Sequence, residues 1–223
     1  WVWMQRKKIK KLSLLVMTVE IKKHLLYFLL IIVKVTILML ILKGFVNMCG
    51  IVGYIGSKQV LPILLDGLKK LEYRGYDSAG VSFVSKGSLQ TVKAAGKIVA
   101  LEEKLKGFTD AQSSLGIGHT RWATHGAPTE NNAHPHVSAD GKIAVVHNGI
   151  IENYASLKAK LQQNGIVFKS DTDTEVVAHL ISHFYQDDLK SAVIQAIGKL
   201  EGAFGFGIIC KDEPDVLIGA RRG

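Results

Sequence analysis

The sequence predicts a layered α+β fold, and three observations carry that prediction. Short apolar strands and amphipathic helices follow one another without the regular alternation of a doubly wound sheet. The segment Ser85-Lys86-Gly87-Ser88 separates two apolar runs and reads as a hairpin turn. The chain has 223 residues, enough for one good-sized core or two small ones.

Taken in order, residues 51–55 form a short apolar strand. Residues 59–71 follow with apolar side chains at 60, 61, 64, 65, 68 and 71, the stripe of a helix lying on a core. Strands at 79–84 and 89–95 flank the hairpin turn, and a helix at 98–105 is stopped by Gly107. Strands at 115–120 and 143–147 are separated by a long polar loop holding Pro128, Asn131, Asn132 and Pro135. A helix at 154–163 closes on Asn164-Gly165. Asp173 or Thr174 caps a second helix running to about residue 185, and 189–200 makes a third. Strands at 202–210 and 216–220 turn around Lys211-Asp212-Glu213-Pro214. Arg221-Arg222-Gly223 carries no stop signal, so the chain is expected to be cut within a domain.

The formal charge of +9 misleads, because residues 1–47 hold eight Lys, one Arg and one Glu, a net +8, and the remainder is close to neutral. The neutral part has no interleaved basic and aromatic stripe, which argues against a nucleic-acid partner. Two cysteines, Cys49 and Cys210, cannot build a disulfide framework, and a cytoplasmic protein is expected.

Residues 25–42 are apolar except for Lys34 and Thr36 and follow the basic residues Arg6-Lys7-Lys8 and Lys22-Lys23. Their length suits a membrane anchor, which needs ~20 apolar residues. They make a poor secretory signal, with no small-residue cleavage site after them. Against an anchor, the chain starts at Trp1 and residues 1–47 are rich in Ile, Lys and Leu, the yield of AT-rich non-coding DNA. Lys43-Gly44 is encodable by AAAGGA, a ribosome-binding sequence shortly before Met48. Residues 1–47 are therefore expected to be a translated leader, with the protein starting at Met48; a different Lys-Gly codon pair would remove that support.

Four segments can carry chemistry. Cys49 follows Met48 and precedes Gly50 and an apolar strand. Removal of Met48 would leave a free α-amine, with a pKa near ~7.7, as a base for the thiol of the same residue. The runs 73–80 (Tyr-Arg-Gly-Tyr-Asp-Ser-Ala-Gly) and 119–126 (His-Thr-Arg-Trp-Ala-Thr-His-Gly) each set an Arg among Gly, aromatic and hydroxyl residues. Such a segment is either a turn with a surface Arg or a carboxylate clamp, since Arg grips a carboxylate with two parallel hydrogen bonds. At His147-Asn148-Gly149 a buried strand ends in Asn-Gly, which reads as a type I′ turn or as an oxyanion hole built from the Asn148 amide and the Gly149 N–H. The histidines at 119, 125, 134, 136 and 147 invite a metal, but no Cys or carboxylate recurs at zinc-like spacing, and His179 with His183 lacks the Glu of a zincin helix. Residues 202–207 are glycine-rich without the Lys-Ser/Thr ending of a phosphate-binding loop.

Cys49-Gly50-Ile51-Val52-Gly53, the Arg74 segment, the Arg121 segment, His147-Asn148-Gly149 and Thr172-Asp173-Thr174-Glu175 stand in the order found in class II glutamine amidotransferases. Residues 48–223 resemble that family throughout, and the Arg74 and Arg121 segments resemble its hexosamine-forming branch. The resemblance implies a four-layer αββα sandwich of the N-terminal-nucleophile hydrolase type, covering 49–223 as a glutaminase domain truncated at its C-terminus. It implies that Cys49 attacks the side-chain amide of L-glutamine, forming a γ-glutamyl thioester and releasing ammonia, with its α-amine as proton shuttle and no cofactor. Asn148 and Gly149 would hold the oxyanion. Arg121 would bind the substrate carboxylate, assisted by Thr124 and His125, and Asp173 the ammonium. Trp122 would lie on a loop that closes over glutamine, while Arg74 and His134 would shape the pocket. The charges also make sense by themselves: glutamine is a zwitterion, and Arg121 with Asp173 supply one fixed charge of each sign. Full-length relatives are expected to be homodimers that bind fructose 6-phosphate through sugar-isomerase domains absent here. An uncleaved peptide bond before Cys49 would remove the base; the alternative reading is then a non-catalytic, membrane-anchored glutamine-binding module. Another amidotransferase sharing the glutaminase domain is a further alternative.

Overall fold

The computed structural model describes Leu12–Thr18 and residues 49–108, 113–122 and 127–223. The apolar run 25–42 lies outside them, and among the described residues no helix is long and apolar enough to cross a membrane.

Among the described residues, nine strands form two antiparallel sheets. The first sheet holds β2 (Gly50–Ile55), β5 (Leu115–Arg121), β3 (Ser78–Ser85) and β4 (Ser88–Ala95), in that order. The second holds β1 (Leu12–Thr18), β9 (Glu213–Arg222), β8 (Gly202–Cys210), β7 (Ile143–Ile151) and the short β6 (His136–Val137). Helices α1 (Val60–Lys69) and α2 (Ile98–Leu105) cover one side. Helices α3 (Tyr154–Gln163), α4 (Asp173–Phe184) and α5 (Leu189–Ile197) cover the other.

Three apolar clusters define the layers. Ile51, Leu115, Ile117, Ala144, Val146, Ile209 and Leu217 pack between the sheets. Leu64, Leu68, Val81 and Leu101 join the first sheet to α1 and α2. Ile143, Val145, Val177, Ile181, Val193 and Phe206 join the second sheet to α3–α5. Because successive strand side chains alternate faces, Ile143 and Val145 meet the helices while Ala144 and Val146 meet the other sheet. The result is the four-layer αββα sandwich.

Glycine brings α1 down onto β5. A Cβ at Gly116 would stand 2.9 Å from Val60 Cγ2 and 3.1 Å from Leu64 Cδ1, and one at Gly118 would stand 3.2 Å from Leu68 Cδ1. Leu64 and Leu68 are thereby fully buried, each contributing roughly 1.5–3 kcal/mol. The hairpin between β3 and β4 turns through Lys86 and Gly87, at φ 50° and 72°, the pair of positive values a type I′ turn demands.

Four element expectations need correction. The Asn148-Gly149 pair does not turn the chain: β7 continues to Ile151, paired with β8 from Ile143↔Cys210 to Ile151↔Gly202. Strand β9 starts at Glu213, so Lys211-Asp212 makes the turn and Pro214 sits within the strand. Helix α5 ends at Ile197 rather than at 200, where Arg222 donates to the carbonyls of Ile197 and Leu200. Asp173 is the first residue of α4 rather than its cap, and its carboxylate accepts from the Ile151 N–H at 2.8 Å. Strand β1 was not foreseen; it pairs antiparallel along β9 from Leu12↔Arg222 to Thr18↔Val216, using the main-chain groups an edge strand leaves open.

A buried carboxylate secures the start of α4. Burial alone would raise the Glu175 carboxyl, but His179, the Ser170 hydroxyl and the Lys169 and Ser170 amides all hydrogen-bond to it and hold it below its ordinary 4.5. A depressed folded value contributes stability that is complete above the unfolded value and lost as pH falls through the folded one. Glu175→Gln is therefore expected to lower the urea midpoint at pH 7 and to flatten its decline below about pH 4.5; parallel curves for variant and parent would reject this.

Candidate active site

The rows of side chains that face each other between the sheets run on, at one end, into polar residues. On β5 the row Leu115, Ile117 continues as His119 and Arg121; on β7 the row Ala144, Val146 continues as Asn148; before β2, Ile51 is preceded in the same row by Cys49. Period-2 alternation thus delivers the proposed nucleophile, cation and amide to one end of the inter-sheet layer.

Cys49 is half-buried, and its Sγ accepts from the Trp122 N–H at 3.1 Å. The next residue is tied across to β5, the Gly50 N–H donating to Thr120 Oγ1 at 3.1 Å. Burial pushes the Cys49 thiol up, more than the Trp122 amide and the Arg121 charge pull it down. At neutral pH the group is a thiol, and a nucleophilic role requires a base.

Asn148 bridges the two sheets. Its Nδ2 donates to the Cys49 carbonyl at 2.9 Å, and its Oδ1 is 2.9 Å from His119 Nε2. Gly149 follows at φ 125°, and a Cβ there would stand 2.2 Å from the Ala203 carbonyl oxygen. Only glycine fits, so the main chain next to Asn148 is bare of side chain.

Arg121 is almost fully buried at 4% exposure. Its guanidinium donates to the Ala127 carbonyl at 3.4 Å and lies 3.9 Å from Asp77 Oδ1. Asn132 donates to the same carbonyl and exchanges hydrogen bonds with Asp171, tying the polar loop to the approach of α4. Asp173 is buried, with Thr174 Oγ1 at 3.4 Å and His147 Nδ1 at 3.7 Å from its Oδ1. Trp122 is 42% exposed, with its ring against Gly75, where a Cβ would stand 3.1 Å from Trp122 Cζ3.

His134 is buried, its ring tilted 31° to that of His119 with centroids 4.3 Å apart, and it is held by the His147 N–H and Thr174 Oγ1. His136 bonds Thr172 Oγ1. Burial holds His119 and His136 down to about 3 and His134 well below its usual value, so this cluster is neutral. Among the described residues no group of three or more His, Cys, Asp or Glu is arranged to hold a metal ion. Thr124 and His125 lie outside the described residues, as does the side chain of Arg74, whose main chain ends the 3-10 turn Glu72–Arg74. Sequence reasoning passed over Thr120 and the pairing of His119 with Asn148; the parity of 119 with the apolar 115 and 117 was the available signal.

Residues 119–222 match the glutamine amidotransferase domain. The glutamine–fructose-6-phosphate aminotransferase (isomerizing) of Gloeobacter violaceus is 54% identical over 176 residues, covering 78% of this chain and 29% of that protein. Its counterpart in Aquifex aeolicus is 55% identical over 176 residues, covering 79% and 30%. The chain thus spans less than a third of the length of these curated relatives. Among solved structures, the glutamine phosphoribosylpyrophosphate amidotransferase from B. subtilis, complexed with ADP and GMP, superposes with a TM-score of 0.62 at 26% identity, over 76% of this chain and 41% of that one.

Proposed function

From the match of residues 119–222 to the glutamine amidotransferase domain and the identity to the aminotransferases, we propose that this chain belongs to the glutamine amidotransferase family and that residues 49–223 hydrolyse L-glutamine with Cys49 as an N-terminal nucleophile. The observation that carries this reading is the convergence of the Cys49 thiol, the Trp122 N–H on its sulfur and the Asn148 amide at the end of the inter-sheet layer. The raised thiol needs a base, and the α-amine freed by removal of Met48 stands in the same residue. The amine takes the thiol proton as Sγ attacks the side-chain amide carbon. The tetrahedral oxyanion is met by Asn148 Nδ2 and the Gly149 N–H. The proton passes to the departing ammonia, and water then hydrolyses the γ-glutamyl thioester to glutamate. Residues 1–47 are, on this reading, a translated leader that the active form lacks.

Arg121 at the end of β5 and Asp173 at the start of α4 supply the opposite charges for the two ends of the glutamine zwitterion. Trp122 as the residue that closes over glutamine, and Arg74, Thr124, His125 and His134 as further residues for the substrate, are carried over as proposals from the resemblance. Arg121→Ala is expected to raise the KM for glutamine by about 10- to 100-fold, the worth of a charged hydrogen-bonded pair, with kcat changed far less. Arg121→Lys keeps the charge, loses the two-pronged grip, and should also raise KM. An unchanged KM in both variants would reject the clamp.

The identities to the aminotransferases support a larger assignment: the glutaminase part of an enzyme that makes glucosamine 6-phosphate from fructose 6-phosphate and glutamine. Fructose 6-phosphate binding, ammonia transfer and a homodimer then belong to the full-length protein. The cytoplasm is the proposed compartment, consistent with Cys49 and Cys210 both being free.

A further inference from the structure

Resting on the assignment of Asn148 to the oxyanion, we propose that His119 is a positioning residue that fixes which end of the Asn148 amide faces the reacting carbon. An asparagine amide has two ends of equal size and opposite hydrogen-bonding character, and only the NH₂ end can stabilise an oxyanion. Two neighbours decide the orientation here. The Cys49 carbonyl, 2.9 Å from Nδ2, accepts only, so the NH₂ end must face it. Oδ1 is then left inside, 2.9 Å from His119 Nε2, and needs a donor there.

His119 can be that donor only as the neutral tautomer carrying its proton on Nε2, or as a cation. The ring is fully buried between the sheets, its residue paired with Ile51 on β2 and Gly80 on β3. Its flank is taken by the His134 ring at 4.3 Å, in a cluster with His136 and His147. A cation in that company is strongly disfavoured, which leaves the Nε2–H tautomer. Asn148 and His119 come from facing sheets, so the sandwich itself sets their spacing. Without the imidazole N–H, Oδ1 would sit unpaired and the Cys49 carbonyl alone would hold the amide, so its NH₂ end would be less firmly fixed in the attack line.

The test combines activity with a direct reading of the tautomer in a chain beginning at Cys49. His119→Leu is expected to lower kcat for glutamine hydrolysis by about 10- to 100-fold while KM stays within about twofold, part of the loss seen when an oxyanion donor is removed outright. His119→Gln, which restores an N–H, should recover most of that loss. In an Asn148→Ala background His119→Leu should cost nothing more, because the group it positions is gone. Losses that multiply in the double variant, or a KM effect equal to the kcat effect, would overturn the proposal in favour of a packing role. Nitrogen-15 shifts of the His119 ring should report Nε2–H; an Nδ1–H ring overturns the proposal whatever the activity. If the parent chain itself makes no glutamate, the glutaminase assignment fails, and the tautomer still decides how Asn148 is held.

Discussion

Replacing Cys49 with Ala is expected to lower glutamine hydrolysis by at least about 10³-fold, with the urea midpoint almost unchanged. The side chain is half-buried at the mouth of the inter-sheet layer, so its removal leaves no large cavity. Its Sγ is the thiol that meets the Trp122 N–H in the row shared with His119, Arg121 and Asn148. The same order of loss is expected for a chain in which any residue remains joined before Cys49. An amide nitrogen cannot accept the thiol proton, and burial already favours the protonated thiol. Fold and substrate contacts would be intact while chemistry stops, so glutamine should still protect such a chain against heat. Rates in Cys49→Ala within tenfold of the parent would remove Cys49 from the mechanism.

Asn148→Ala is the second large effect. Loss of one oxyanion donor costs about 10²–10³ in kcat, or ~2.7–4 kcal/mol of transition-state stabilisation, with little change in KM. The second donor proposed, the Gly149 N–H, stays in place because strand β7 is held by β8 through Ile151. Steady-state kinetics separate the outcomes: a raised KM with normal kcat would mean that Asn148 holds ground-state substrate instead.

Much of this architecture is legible from local signals. Helices 98–105 and 154–163 and strand 202–210 begin and end where the periodicity and the adjoining Gly and Asn place them. Local signals fail where long-range pairing decides. Asn-Gly is the strongest two-residue turn signal, yet at 148–149 the β8 ladder keeps the chain extended and uses the glycine for a positive φ that no side chain could share. His136–Val137 is too short to show alternation, and Leu12–Thr18 is paired along β9. The candidate site was readable as residue types, since the Cys, Arg and Asn-Gly segments each name a chemistry. Their convergence was not, because His119 and Asn148 are 29 positions apart and meet only when two sheets face each other.

The decisive measurement is the intact mass of the protein expressed from its own upstream DNA, taken on the same sample as its rate of glutamate release from glutamine. A mass beginning at Cys49 together with glutamate release is expected. Glutamate release at full rate from a chain that still carries residues before Cys49 would rule out the free α-amine as base, and with it the N-terminal-nucleophile mechanism proposed for this domain.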